Sequence, residues 1–314
     1  MSGHLITFGE AMAVLTSPIT GPLRHAPSLN LGVAGAEANV AIGVSRLGGR
    51  AVWVGRVGDD EFGRLVRMTL AGQELPGERV LVDEQAPTAL MVKERRNGMH
   101  TRVSYYRSGS AGSRLRPADV DGELVSTAGM LHLTGITPAL SASAREATNT
   151  AAEIARAAGV PISLDLNYRK ALWTPEEAAE ALRPLATSST VLFATEDEAR
   201  LLVDGVDAEE LAHALAELGP REIVIKRGER GAIALADGQL FTVPPRPTVA
   251  IDPVGAGDSF ADAYLATRCE AGSMEQRLDD AAAAGAFTVA TTGDWEGLPN
   301  RAELAEMNSS DVSR

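Results

Sequence analysis

With a single cysteine, Cys269, the 314-residue chain cannot close an internal disulfide, and a reducing compartment is expected. No apolar run approaches the roughly 20 residues that span a bilayer, and the N-terminus lacks the basic flank and long apolar core of a signal peptide. A cytoplasmic protein is therefore expected. Positive charge is in short supply: 29 Lys and Arg against 42 Asp and Glu leave a net charge of -13. A field of that sign disfavours nucleic acid and anionic membrane surfaces as partners, but not a small anionic ligand that senses only its own site. Lysine occurs only at positions 93, 170 and 226, which makes each one worth locating. No Gly-x4-Gly-Lys-Ser/Thr run is present, which disfavours a P-loop kinase. Gly9-Glu10-Ala11-Met12 follows the first strand-like run where a dinucleotide site needs Gly-x-Gly-x-x-Gly. The histidines, at 4, 25, 100, 132 and 213, have no metal-ligand spacing.

What is present reads as an ordinary globular chain, with 45% hydrophobic and 23% charged residues. Disorder is expected only in the polar tail around Asn308-Ser309-Ser310-Asp311. Short apolar runs at 5–8, 51–54, 130–133, 162–165, 191–193 and 223–225 read as buried strands. Between them, 143–158 and 208–218 carry the apolar spacing of amphipathic helices. Thr174-Pro175-Glu176-Glu177 combines an N-cap, a first-position proline and a capping-box glutamate. Strand and helix in alternation predict the α/β class, with a mostly parallel sheet covered on both faces. One region breaks the alternation: 88–94 and 101–107 flank Asn97-Gly98, a favoured hairpin turn. Such a hairpin is either a lid or a plain extra pair of edge strands.

The densest chemistry lies in Asp252-Pro253-Val254-Gly255-Ala256-Gly257-Asp258-Ser259-Phe260, which opens a helical run. Gly255 and Gly257 let the backbone bend and present bare N–H groups where a helix starts, at the positive end of its dipole. That arrangement suits the negative charge that builds on a transferring phosphoryl group. Asp258 stands ready to accept a proton from an attacking hydroxyl. Its plain alternative is an N-cap aspartate after a glycine turn.

The nonapeptide resembles the C-terminal signature of the ribokinase-like carbohydrate kinases. Gly32-Val33-Ala34-Gly35-Ala36-Glu37-Ala38-Asn39-Val40-Ala41 with Arg46-Leu47-Gly48-Gly49 is similar to their N-terminal signature, and 55–63 to a third motif between the two. The resemblance spans about residues 4 to 299. It implies a three-layer α/β/α sandwich in a single domain, 1–314, with a small β lid formed mainly by about 12–34 and 86–110. It implies ATP and Mg2+, with K+ near the anion hole. Asp258 would be the catalytic base, with Gly255, Ala256 and Gly257 as the anion hole. Gly35 and Asn39 would bind sugar hydroxyls, with Tyr105 and Ile136 lining the site. Lys226 and Gly228, with Gly255 and Gly257, would lie beside the nucleotide phosphates, and Glu198 would organise Mg2+ through water. Read locally, Thr195 and Glu198 are also a capping box, Asn39 a polar residue near a helix start and Tyr105 a packing aromatic.

Within the family, Tyr105-Tyr106-Arg107-Ser108-Gly109-Ser110-Ala111, Asp165-Leu166-Asn167-Tyr168-Arg169 and the segment 293–299 are similar to the 2-keto-3-deoxygluconate kinase branch. Arg107 and Arg169 are expected to converge on a sugar-acid carboxylate through charge-assisted hydrogen bonds. Departures from the pattern are Ala34 in place of a glycine, Met91 in place of a tyrosine and Thr195 in place of an asparagine, with Ser259 and Ala263 on the catalytic helix. They bear on the sugar and leave the reaction type alone. The partners expected are ATP, a sugar or sugar acid, and further copies of this chain in a homodimer or higher homo-oligomer. The alternatives are a sibling kinase for fructose or a related ketose or sugar acid, and a non-catalytic sugar-binding protein on the same fold.

Overall fold

A computed structural model describes residues 3–97 and 100–308. The strands are β1 (Leu5–Phe8), β2 (Met12–Thr16), β3 (Asn30–Ala34), β4 (Ala51–Gly58), β5 (Val80–Asp83), β6 (Leu90–Asn97), β7 (His100–Tyr106), β8 (Met130–Thr134), β9 (Ile162–Asp165), β10 (Val191–Thr195), β11 (Glu222–Lys226), β12 (Ala232–Ala236) and β13 (Gln239–Val243). Nine form one sheet in the order β13-β12-β11-β10-β9-β8-β1-β4-β5. From β5 to β11 every pairing is parallel; β12 and β13 run antiparallel at one edge.

Alternation along each strand sends neighbouring side chains to opposite faces. Ile6, Phe8, Leu131, Leu133, Ile223 and Ile225 join one buried core, while Leu5, Met130, Phe193 and Val224 join the other. Helices Ala142–Ala157, Pro175–Ser188 and Ala208–Ala216 cover the first face. Helices Ala36–Arg46, Glu61–Gly72, Ala256–Cys269 and Met274–Val289 cover the second. The mostly parallel sheet clad on both sides is the architecture the alternation predicts. Thr174 caps its helix as expected: its hydroxyl accepts from Glu177 N, and Glu177 accepts from Thr174 N at 2.9 Å.

The remaining strands form a second, four-stranded sheet in the order β3-β2-β6-β7. Its hairpin pairs Leu90 with Tyr106 and Met91 with Tyr105. Gly98, half of the expected turn, lies outside the described residues, as does the tail from Ser309 onward. One side of this sheet gathers Met12, Val14, Ala34, Ala89 and Met91 into a small apolar cluster.

Helix Ala36–Arg46 packs beside helix Ala256–Cys269, so their N-termini meet at the same end of the sheet. Between them sits Asp262, fully buried, with neither carboxylate oxygen hydrogen-bonded within the described residues. Burial, reinforced by the charge of Asp258, pushes its proton affinity well above the usual carboxylate range. A carboxyl whose folded pKa is raised stabilises the fold below its unfolded value, about 4, and that stability is lost as pH rises. Asp262→Ala is therefore expected to gain on the wild type as pH rises from 5 to 8, by up to about 1.4 kcal/mol per pH unit. Urea unfolding at both pH values checks this; parallel pH slopes would contradict it.

Candidate active site

The carboxyl ends of the central strands converge on a cavity of about 490 Å3. Such an edge, beside the point where strand order reverses, is where α/β sheets bind ligands. Glu10 follows β1, Ile136 follows β8, Asn167 and Arg169 follow β9, Thr195 and Glu198 end β10, and Lys226 and Gly228 end β11. Gly255, Gly257 and Asp258 close one side, and Met12, Ala34, Met91 and Tyr105 of the small sheet cover another. Every site residue that the family resemblance implied lines this cavity except Ala256. That residue begins helix Ala256–Cys269 just behind it.

Gly255 is the N-cap of that helix, with φ 81° and ψ -14°, a left-handed conformation that favours glycine. A Cβ there would collide with the carbonyl oxygen of Asp294. Among the described residues no side chain caps the helix, so its first-turn N–H groups remain for a ligand. Asp258 stands in that first turn, and its Oδ2 accepts from Asn39 Nδ2 at 2.9 Å. Burial raises the Asp258 pKa to about 7; the Asn39 hydrogen bond and the charge of Arg169 restrain the rise, and Asp165 adds to it. A pKa near neutral pH suits a carboxyl to taking up and giving back a proton. Asn39 itself is buried, and its Oδ1 has no partner among the described residues.

Lys226 closes β11 with its ammonium 2.5 Å from Asp165 Oδ2. Burial pulls its pKa down, but the charges of Asp165 and Glu198 outweigh that, so the group stays protonated. A Cβ on Gly257 would stand 3.6 Å from the same Nζ, so this charge lies beside the first turn of helix Ala256–Cys269. Glu198 makes the capping box: its Oε2 accepts from Thr195 N at 2.8 Å, and its Oε1 accepts from Tyr168 N at 2.9 Å. Among the described residues no three His, Cys, Asp or Glu side chains group into a metal cage.

The two arginines line the same cavity on unequal terms. Arg107 is committed to Glu10, which is 1% exposed: its Nη2 lies 2.6 Å and its Nε 2.8 Å from Glu10 Oε2. Ser110 Oγ donates to the other Glu10 oxygen at 2.6 Å. Arg169 is exposed at the rim, and among the described residues its one hydrogen bond is a long one, 3.4 Å to Tyr168 O. Tyr105 is 43% exposed and lies under the Arg107 guanidinium. Gly35 is held against Glu10, where a Cβ would collide with the Glu10 carbonyl. Sequence reasoning did not single out Glu10, Asp165 or the Lys93–Asp294 pair, whose Nζ–Oδ2 distance is 2.9 Å. Their available signals were a glutamate two residues after the first strand and the scarcity of lysine.

A profile of the pfkB family carbohydrate kinases matches residues 3–301. The 2-dehydro-3-deoxygluconokinase of Thermoproteus tenax is 37% identical over 96% of this chain and 93% of its own. The 2-dehydro-3-deoxygalactonokinase of Haloferax volcanii is 35% identical over 94% and 93%. A candidate ribokinase II from E. coli, solved in complex with ATP and Mg2+, superposes with a TM-score of 0.91 at 26% identity, covering 98% of this chain and 99% of its own.

The Asp258 carboxyl is open to direct titration by 13C NMR in the free protein. A midpoint near pH 7 is expected, rising in Asn39→Ala because the hydrogen bond that favours the ionised form is lost. A midpoint near 4, or no response to the substitution, would contradict the assigned environment.

Proposed function

The chain belongs to the pfkB family of carbohydrate kinases, and from that premise we propose that it transfers the ATP γ-phosphoryl group to the 6-hydroxyl of 2-keto-3-deoxygluconate. One observation carries the chemistry: Asp258, held by Asn39 in the first turn of an uncapped helix behind the left-handed Gly255. The sugar oxygen attacks the γ-phosphorus as its proton passes to Asp258. The bond to the β-phosphate oxygen breaks in line, and ADP leaves. The N–H groups around Gly255, Ala256 and Gly257 face the charge on the transferring group, and one such preorganised donor is worth about 3–4 kcal/mol of barrier. Lys226 adds positive charge at the same edge, and Gly228 lets the nucleotide approach β11.

Mg2+ is held in such sites by one or two carboxylates together with substrate phosphates, so the lack of an all-protein cage suits it. Glu198, with its oxygens anchored by Thr195 and Tyr168, fits a partner acting through water. Mg2+ when bound neutralises the charge shared by the β- and γ-phosphates. A monovalent ion fits less well. The two carboxylates flanking the anion-hole loop, Asp252 and Asp294, already face Lys93.

Two features favour a deoxy sugar acid. Arg169 has most of its donors unused at the rim, and Arg107 keeps donors beyond those given to Glu10, so a carboxylate can bridge them. Met12, Ala34 and Met91 line the same cavity with apolar surface. A deoxygenated carbon rests there without stranding a hydroxyl, whereas a fully hydroxylated sugar leaves one unpaired. The names of the Thermoproteus and Haloferax relatives agree with that substrate class. Asn39 Oδ1 and the Gly35 backbone take hydroxyls, and Tyr105 and Ile136 pack the ring or chain.

We read residues 1–314 as one kinase domain in which 12–34 and 86–110 act as a lid, excluding water as a competing acceptor. Exposed Leu31 and Tyr106 on the lid's outer strands favour pairing with a second copy of the chain. No helix of the described residues is long and apolar enough to cross a membrane, and the work is assigned to the cytoplasm.

ADP release with Mg2+-ATP and 2-keto-3-deoxygluconate, fructose, ribose or gluconate tests the reading. Turnover strongest on the keto-deoxy acid is expected; a neutral sugar as best acceptor would keep the kinase and discard the substrate. Tight sugar binding without ADP release would favour the non-catalytic binder. Asp258→Asn should lower kcat about 10²–10⁴-fold. Arg169→Ala should lower kcat/KM for the acid about 10–100-fold, the loss of one charge-assisted contact, and for fructose far less, only by the effect of a higher Asp258 pKa. Equal losses on both acceptors would contradict a carboxylate-reading role.

A further inference from the structure

We propose that Lys93 is a fixed cation built into the anion-hole loop, standing in for a free monovalent ion and making the loop's geometry depend on the lid. This rests on the kinase reading. Lysine is almost never fully buried unless paired, and Lys93 is only 3% exposed. It lies on β6 of the lid sheet, two residues from Met91 and so on the same face, the one that lines the sugar cavity. Its ammonium leaves that sheet and reaches the main domain, 2.9 Å from Asp294 Oδ2 and 4.0 Å from Asp252 Oδ2.

Both carboxylates belong to the machinery of the loop. Asp252 opens it, its Oδ1 accepting from Val254 N at 3.1 Å. The backbone carbonyl of Asp294 packs against Gly255, on the side where a Cβ would not fit. One residue thus shapes the loop from its start and the other from above its turn, and a single ammonium from a separate sheet faces both. Without it, two carboxylates would face each other beside the place where polyphosphate must sit. Removing one partner of a buried pair leaves an uncompensated charge, so this contact is sensitive to displacement. Burial raises the proton affinity of Asp294 and Lys93 opposes that rise, in keeping with an ion pair. Because β6 also carries Met91 against the sugar cavity, a lid held closed by substrate keeps the ammonium in place, and an open lid withdraws it.

The test compares wild type, Lys93→Met and Lys93→Arg in NaCl, KCl and NH4Cl, reading sugar-dependent ADP release and melting temperature. Wild-type rate and melting temperature should be the same in the three salts. Lys93→Met should lose 10-fold or more in kcat, recover severalfold in KCl or NH4Cl, and melt higher in those salts than in NaCl. Lys93→Arg should keep the salt independence. Severalfold activation of the wild type by K+ would overturn the proposal, as would full kcat in Lys93→Met. So would a Lys93→Met variant that responds to no cation in rate or melting temperature, which would make the pair purely structural. If Lys93→Met does not fold, the wild-type and Lys93→Arg salt comparisons still decide. Absence of sugar turnover in every salt would instead strike the kinase reading, and the melting shifts would still test the fixed cation.

Discussion

The left-handed turn at Gly255, packed under the carbonyl of Asp294, is the constraint on which the site depends. It lets helix Ala256–Cys269 begin abruptly at the edge of the sheet, with its first-turn N–H groups unclaimed by any side chain. It also fixes Asp258 in that first turn, facing Asn39 of the neighbouring helix. The proton acceptor and the anion hole we propose are therefore both set by one backbone feature. Fixed, preorganised dipoles of this kind carry the largest share of catalysis because they need no reorganisation during reaction.

Around that turn a strongly acidic protein collects its scarce lysines. Lys226 and Lys93 reach the same edge from β11 and from β6 of the four-stranded sheet, each bound to a buried carboxylate. The overall field would repel ATP at a distance, but within a Debye length the local ammonium groups govern. Asp258 obeys the opposite logic. Burial lifts its pKa toward 7, so ionising it withdraws stability as pH rises from its unfolded value through that range. The protein sustains a poorly solvated carboxylate where we propose a proton is taken, a common tension between stability and function.

Much of this was legible in the chain. The runs 5–8 and 162–165 are strands with the same bounds, and the Thr174 and Thr195 capping boxes both form. These are local features, decided by periodicity and by groups three residues apart. The Asp237-Gly238 hairpin, with both residues at positive φ, turns β12 and β13 antiparallel and was equally local, though not read. What escaped were pairings across the fold. Arg107 meets Glu10 97 positions away, and Lys93 meets Asp294 201 positions away. Nothing in the spacing of either residue marks its partner, and only the topology brings them together. The two arginines expected to share a carboxylate do line one cavity, but one of them already holds a buried glutamate.

The most direct measurement of the central claim is the site of phosphorylation on 2-keto-3-deoxygluconate, read by 31P–1H NMR of the product formed with Mg2+-ATP. A base at Asp258 facing the terminal hydroxyl predicts one sugar phosphate, its phosphorus coupled to the two C6 methylene protons. Phosphorus coupled to a secondary carbon's proton, or appearing only as inorganic phosphate, would contradict it.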